Sequence, residues 1–469
     1  AVDNATSNQP AFTEKLLALA NQLSFDSKQK NLNISSLKID MTSSDALHVA
    51  LAGSVLGIGT RQAFDNLKLT LGYDLEKLWP IVYPMLPPAQ QKDLKDAKVT
   101  GKFTKVFTVA GSYPAAKPFN EAIRSVTANG SLAVDQFNAM GADIQKLDLP
   151  ISLANGILRT QYTDRPEAQQ LPPPASCNGG QLTVAGLQCD LTRPDPRLTT
   201  PKDWKLLYNV SINPLLGDNL GKYINPVFAN SRRAQGLIDV TIANCDAVAL
   251  GAAMKTKDSG SAKITFSLRD MDIVNPLGSM IVGTLTKLIP ANLTGLLGNV
   301  KGLNLSGTPS DADAFQGEID NAVVTLDQGV TTQDVTLQLT DPAAKAQPAL
   351  AAQKKMPLHF QGNIQLADLR QRLNVTFPTQ LLAKFIPDKG IAKTLNDLFP
   401  AGIPLALTGT TTSPKIDASE FLKQTADAFK KEKLNQILGG EKGDKADKTD
   451  NPLGGLLDQF GKKKKKPAD

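Results

Sequence analysis

The sequence predicts a mainly β protein built on antiparallel sheet with one side in water, together with a few short amphipathic helices. Three observations point there. Apolar and polar residues alternate along much of the chain, the helical stretches are short, and no regular succession of strands and long helices marks a parallel α/β sheet. The alternation starts with Leu37, Ile39 and Met41 in "SLKIDM" and Leu67, Leu69 and Leu71 in "NLKLTL". It continues through Leu147, Leu149, Ile151 and Leu153 in "KLDLPISL", then Ile238/Val240/Ile242 and Ile264/Phe266/Leu268. It ends with Val335/Leu337/Leu339, Leu373/Val375/Phe377 and Ile403/Leu405/Leu407. The intervening Lys, Asp, Ser, Thr, Gln and Asn suit a solvated face.

Helical signals sit at the punctuation. In "AFTEKLLALANQL", Leu16, Leu17, Ala20 and Leu23 form one stripe and predict a helix. Asp417, with Glu420 three places on, is a capping-box signal opening "FLKQTADAFKKEKLNQIL". A repeated element recurs as "LEKLWP" from Leu75, "LGKYINP" from Leu220, "LTKLIP" from Leu285 and "LAKFIP" from Leu382. Each predicts a short helical turn stopped by Pro80, Pro226, Pro290 or Pro387 and leading toward a strand. Two roles are open for these elements. They plug the ends of the sheet by packing, or their lysines Lys77, Lys222, Lys287 and Lys384 lay their stems on apolar surface and hold ammonium groups against lipid headgroups.

Composition excludes several classes. The net charge of +6 in 469 residues is mild, and much of the excess lies near the C-terminus. Aromatic residues make up 5% with two tryptophans, too few for base-stacking platforms, so no nucleic-acid partner is expected. With two histidines, His48 and His359, in solvent-facing register, and three cysteines, no zinc triad is in view. A G-x-S-x-G elbow is absent, so the expectation is a non-enzymatic protein without cofactors. "DAD" at Asp311 to Asp313, "DMD" at Asp270 to Asp272 and "GIG" at Gly57 to Gly59 read as turns. The most apolar stretch is broken by Lys287 and Pro290, leaving no membrane-spanning run. The chain starts at "AVDNATSNQP", and a removed or omitted N-terminal signal or anchor is expected before it.

Four regions follow: an N-terminal helix and β-sheet segment over 1–162, a proline-rich linker and disulfide loop over 163–200, a β segment with terminal helix over 201–438, and a disordered basic tail over 439–469. Cys177 and Cys189 are expected to form a small disulfide outside the cytosol, leaving Cys245 as a free thiol. In the tail, Leu453, Leu456, Leu457 and Phe460 precede Lys462, Lys463, Lys464, Lys465 and Lys466, a candidate contact with an anionic membrane surface.

One family shares these patterns. "TANGSLAVDQFNAMGADIQKLDLPISLANGILR" from Thr127 resembles the repeated strand pattern of bacterial AsmA-like envelope proteins. "FQGEIDNAVVTLDQGVTTQDVTLQL" from Phe315 and "IPLALTGTTTSPKIDASEFLKQ" from Ile403 resemble that family's C-terminal end. The resemblance extends over most of residues 30–438; the cysteine loop departs from it. It implies an elongated, curved sheet with an apolar trough or half-barrel, related in shape to bridge-like lipid-transfer proteins. It also implies a periplasmic setting, phospholipid, membrane surface and other envelope proteins as partners, and a part in outer-membrane maintenance.

With few long helices and few aromatics to cover the sheet, something else must cover its apolar face, and acyl chains are the expected occupants. By register alone, Leu147, Leu149, Ile151, Ile264, Phe266, Leu337, Leu339, Leu373, Val375 and Leu405 face that groove. The alternative is a structural or adhesive β-protein with a fully packed interior that binds another protein or a glycan.

Overall fold

The computed structural model describes residues 2–3, 10–12, 17–58, 61–114, 117–163, 165–288, 314–340, 355–382, 396–397, 399–424 and 427. The protein is mainly β, with 58% strand against 18% helix, in one large antiparallel sheet that is not closed into a barrel. The chain divides into two compact units: the first contains Ala1–Asn219, Gly236–Ser267 and Thr325–Val330, the second Leu220–Gln235, Leu268–Val324 and Thr331–Asp469.

In the first unit, β1 (Leu17–Asp26), β2 (Asn31–Met41), β3 (Leu47–Leu56), β4 (Arg61–Asp74), β5 (Lys102–Pro114), β6 (Val126–Ala139) and β7 (Ala142–Ala154) pair antiparallel, each with the next. β1 corrects the helix expected around Leu17, Ala20 and Leu23. The same letters carry a second pattern, Leu17, Leu19, Leu23 and Phe25 at even spacing, and the neighbouring strand selects it. Leu17 lies opposite Met41 and the ladder runs to Asp26 opposite Asn31. The connecting turn is built locally: the Asp26 carboxylate accepts from the Lys28 and Gln29 N–H groups at 2.8 and 3.1 Å, and Lys30 closes it at φ 55°. Leu16 lies outside the described residues.

The first repeat element forms α1 (Leu75–Val82), which runs through Pro80 rather than stopping at it, and a 3₁₀ turn Tyr83–Met85 follows. A second short helix, α2, covers Pro88–Leu94.

The region 163–200 is not a linker. It contains the short strands Ala175–Cys177, Gly180–Leu182, Gln188–Asp190 and Arg197–Thr199, all within the first unit. The first of these lies on β7 and the second on β8 (Trp204–Ser211). The turn between them is Asn178-Gly179, with φ 44° and 79°, the left-handed pair that a two-residue hairpin requires. A similar Asn155-Gly156 turn joins β7 to the strand Ile157–Arg159.

The remaining long strands are β9 (Arg233–Asp246), β10 (Ser261–Val274), β11 (Ala314–Asp327), β12 (Val330–Thr340), β13 (Lys355–Gln365), β14 (Gln371–Phe377), β15 (Ile403–Thr410) and β16 (Ser413–Asp417). Unit boundaries fall within β9, β10, β11 and β12. In the second unit, β13 to β16 pair in order, with Phe360 opposite Val375, Val375 opposite Leu405, and Leu373 opposite Leu407.

This face is a closed core. Leu337 and Leu373 are 0% exposed, Val375 1%, Leu339 2% and Leu405 3%, so these groove candidates do not line an open trough. The same unit buries Ile281 of α3 (Leu277–Leu288), Val227, Phe228, Leu381, Phe399 and Phe421. These come from helical and turn segments that lie between its strands or, for Phe421, after the last of them. The Phe399 and Phe421 rings meet at 5.2 Å between centroids. Within this core the Asn225 amide donates to the Gln333 side-chain carbonyl at 2.9 Å, and the Asn225 oxygen caps the turn Pro226–Phe228 by accepting from Val227 N–H at 2.9 Å. Pro226 therefore opens a 3₁₀ turn instead of ending a helix, because Asn225 supplies its cap.

At the far end, the Asp417 carboxylate accepts from Ser419 N–H at 2.9 Å, starting the helical segment that contains Phe421. Glu420 bonds Gln424 instead of closing a reciprocal box. The tail 439–469, including Leu453, Leu456, Leu457, Phe460 and Lys462 to Lys466, lies outside the described residues, as do Pro290, Lys384 and Pro387.

Candidate functional site

The first unit carries a different kind of face. Cross-strand pairing places opposite residues on the same side of a sheet, so the register defines rows. One row runs from Asn21 on β1 to Leu37, Leu51, Leu69 and Phe107. Phe107 then lies against Gly130, where an added Cβ would meet its ring at 2.2 Å, and Gly130 is opposite Ile151. The next row runs Leu19, Ile39, Val49, Leu71 and Lys105. Leu132 opposite Leu149 and Val134 opposite Leu147 extend the same face onto β6 and β7.

These side chains neither bury fully nor stand free. Leu37, Ile39, Val49, Leu51, Leu69, Leu71, Phe107, Leu147, Leu149 and Ile151 are all partly exposed, shielded by their neighbours within the sheet. On β1, Leu17, Leu19, Leu23 and Phe25 are 46–61% exposed. The face is closed at one end, where Ile123, Val126 and Leu153 form a small core with Phe64, Val109, Tyr113 and Leu191. Three sequence-predicted groove residues, Leu147, Leu149 and Ile151, therefore share one partly open apolar face. Ile264 is partly exposed on β10, whereas Phe266 is buried at 3%.

Lys105 stands out on this face, although it is not among the groove or headgroup candidates that the sequence suggests. It interrupts the alternation Phe103, Phe107, Val109 on the apolar side of β5, and that break was visible in "KFTKVFTVA". Its ammonium lies 5.6 Å from the Phe103 ring centroid and 3.5 Å from Asp148 Oδ1. Asp148 also accepts a hydrogen bond from the Tyr162 hydroxyl, and the Arg165 guanidinium sits 3.4 Å from the Tyr162 ring centroid. Burial, then the Asp148 contact, pushes the Tyr162 phenol up to about 12. A cleft of about 330 Å³ beside Tyr162 is bordered by Thr108, Asn129, Ser131, Ile151 and Arg165.

The polar side of the same sheet holds a charge cluster. His48 is hydrogen-bonded through Nδ1 to Asp40 and through Nε2 to Asp45, both at 2.8 Å. These two carboxylates, Asp40 first, raise the imidazole above its ordinary value. Lys77 of α1 reaches Asp45 at 3.0 Å and Asp74 at 3.7 Å, which raises the lysine and holds the Asp45 carboxyl well below the usual carboxylate range. As a headgroup candidate, Lys77 is thus already engaged by two acids.

The other candidates divide. Lys222 lies 5.4 Å from the Tyr223 ring centroid within the 3₁₀ turn Gly221–Tyr223. The backbone of Lys287 belongs to α3, and its side chain is outside the described residues. His359 is bonded to Thr336 at 2.8 Å.

The expected disulfide is not formed: Cys177, Cys189 and Cys245 are all free. Register gives the reason. Cys177 is opposite Ile144, whereas Cys189 is opposite Leu158, itself opposite Leu153. Along β7 that separation is nine residues, about 30 Å, against a Cα separation below about 7 Å for a bridge. Burial raises all three thiols. Among the described residues no group of three or more His, Cys, Asp or Glu is arranged to hold a metal ion, and no helix is long and apolar enough to cross a membrane.

No family model matches the chain, and no curated protein or solved structure matches it.

Proposed function

We propose that this is a non-enzymatic lipid-handling protein of AsmA-like type, which holds acyl chains on the apolar face of β1 to β7 in the bacterial periplasm. The observation that carries the reading is the contrast between the two units. In the second, the apolar side of the strands is buried, as are Ile281, Phe399 and Phe421; in the first, the row through Leu37, Leu51, Leu69, Phe107 and Ile151 stays partly exposed. Contiguous exposed apolar surface is unusual on a soluble protein unless it binds something. Each acyl CH₂ buried there contributes about 0.8 kcal/mol, so a chain of ordinary lipid length binds without specific polar contacts. Lys105, beside Phe103, offers a cation to an anionic headgroup at the expense of its contact with Asp148. The basic tail, Lys462 to Lys466, adds attraction to an anionic membrane.

The second reading, a structural or adhesive protein with a packed interior, draws support from the closed core around Leu337, Leu373 and Phe360. Native mass spectrometry and lipid extraction of the purified chain separate the two. The lipid reading expects co-purifying phospholipid that is lost in Leu51→Asp and Leu149→Asp while both variants stay folded. A wild-type preparation free of lipid, and unable to take up a fluorescent fatty acid, rejects it.

A further inference from the structure

Beyond lipid handling, we infer that β1 is a self-pairing edge through which two copies of this chain join antiparallel about a two-fold axis at Asn21. β1 pairs with β2 on one side, the sheet is not closed into a barrel, and among the described residues no strand pairs with its other side. Sheet edges are ordinarily protected by charge, proline, a bulge or brevity. This one has ten residues, and from Leu17 to Phe25 it carries no charge, no proline and no glycine; the one bulge in its ladder, at Gln22/Leu23, has its extra residue, Ser35, on β2. Every residue of it is exposed, including four large apolar side chains.

The order of residues specifies the partner. On the apolar side, Leu17, Leu19, Leu23 and Phe25 flank a single amide at the centre, Asn21. Its neighbour across the ladder is Leu37, and its side chain makes no hydrogen bond among the described residues. Antiparallel pairing with a second copy, Asn21 opposite Asn21, sets Leu19 against Leu23 and Leu17 against Phe25. On the other side Ala20 meets Gln22 and Ala18 meets Ser24. A slip of two residues would place Asn21 against Leu19 or Leu23 and leave both amides unpartnered beside apolar groups. The central amide therefore selects one register, as a lone buried Asn does in a coiled coil. The union lengthens the sheet and continues its apolar face from one copy into the next.

The test uses the full chain in sedimentation velocity across concentration, with disulfide trapping. The expectation is a reversible dimer, weakened about tenfold or more by Leu19→Lys. In a background with Cys177, Cys189 and Cys245 changed to Ser, mild oxidation should join Asn21→Cys into a covalent dimer and leave Leu17→Cys monomeric. Leu17 lies about 27 Å from its own copy in this register. The lipid content of each variant is measured alongside, so that loss of dimer and loss of lipid are read separately. A wild-type chain that stays monomeric, or equal trapping through Leu17→Cys and Asn21→Cys, overturns the proposal. If the triple Ser background does not fold, matched charge decides instead. Leu19→Glu and Leu23→Lys each weaken the dimer, and the double variant must restore it; failure to do so also overturns the proposal.

Discussion

The hydroxyl of Tyr73 occupies a place in the ladder of β6: it donates to the Ala133 carbonyl at 3.0 Å and accepts from the Ala133 N–H at 2.8 Å. Tyr73 is 7% exposed and its ring packs on Phe103, so a side chain from β4 spans β5 and locks two strand neighbours together. Removing the oxygen leaves a buried backbone donor and acceptor unpaired. Tyr73→Phe should destabilise the first unit by about 1–3 kcal/mol. Urea unfolding followed by a probe in that unit checks this, and an unchanged midpoint contradicts it.

His48 gives the first unit a pH dependence. Its folded value lies above the unfolded value of 6.5, because Asp40 and then Asp45 favour the imidazolium. The contribution is therefore complete below about pH 6.5 and is lost as pH rises through the folded value. Melting temperatures of wild type and His48→Gln should differ most in mildly acidic buffer and converge in alkaline buffer. Opposite ordering would show that the imidazole is held neutral.

Equal substitutions should have unequal effects in the two units. Leu337→Ala removes a 0% exposed side chain and should cost about 2–5 kcal/mol. Leu149→Ala acts on a partly exposed side chain and should cost less than half as much, provided the preparation is first stripped of lipid. Calorimetry of both variants tests whether the apolar face of β7 is open.

The Asn225 and Gln333 amides form a buried pair, and Asn225 also caps its own turn. Gln333→Leu should cost about 1–3 kcal/mol by leaving the Asn225 amide donor unpaired. Asn225→Leu should cost more, since it orphans Gln333 and removes the cap as well. A double-mutant cycle on denaturant midpoints measures the coupling; additive losses would show that the two amides do not act as a pair.

Cysteine chemistry separates register from spacing. Thiol titration under denaturing, non-reducing conditions should find three reactive groups, and two fewer would mean a bridge. In native protein the reaction should be slow, since burial raises each thiol and withholds the thiolate.

The alternation of Leu147, Leu149 and Ile151, or of Leu373, Val375 and Phe377, determined by itself that these segments are strands and which side of each is apolar, because successive side chains on a strand point to opposite faces. The same letters are silent on what lies over that side. Only tertiary structure distinguished Leu373, fully buried, from Leu149, left partly open, since burial depends on segments distant in sequence. It also turned the stripe of Leu17, Ala20 and Leu23 into an edge strand, because pairing with β2 outweighs a helical spacing that its alternation satisfies equally well. The twelve-residue interval between Cys177 and Cys189 suggested a bridge, but strand register sends the two thiols to positions nine residues apart along β7, a separation that chain distance alone does not encode.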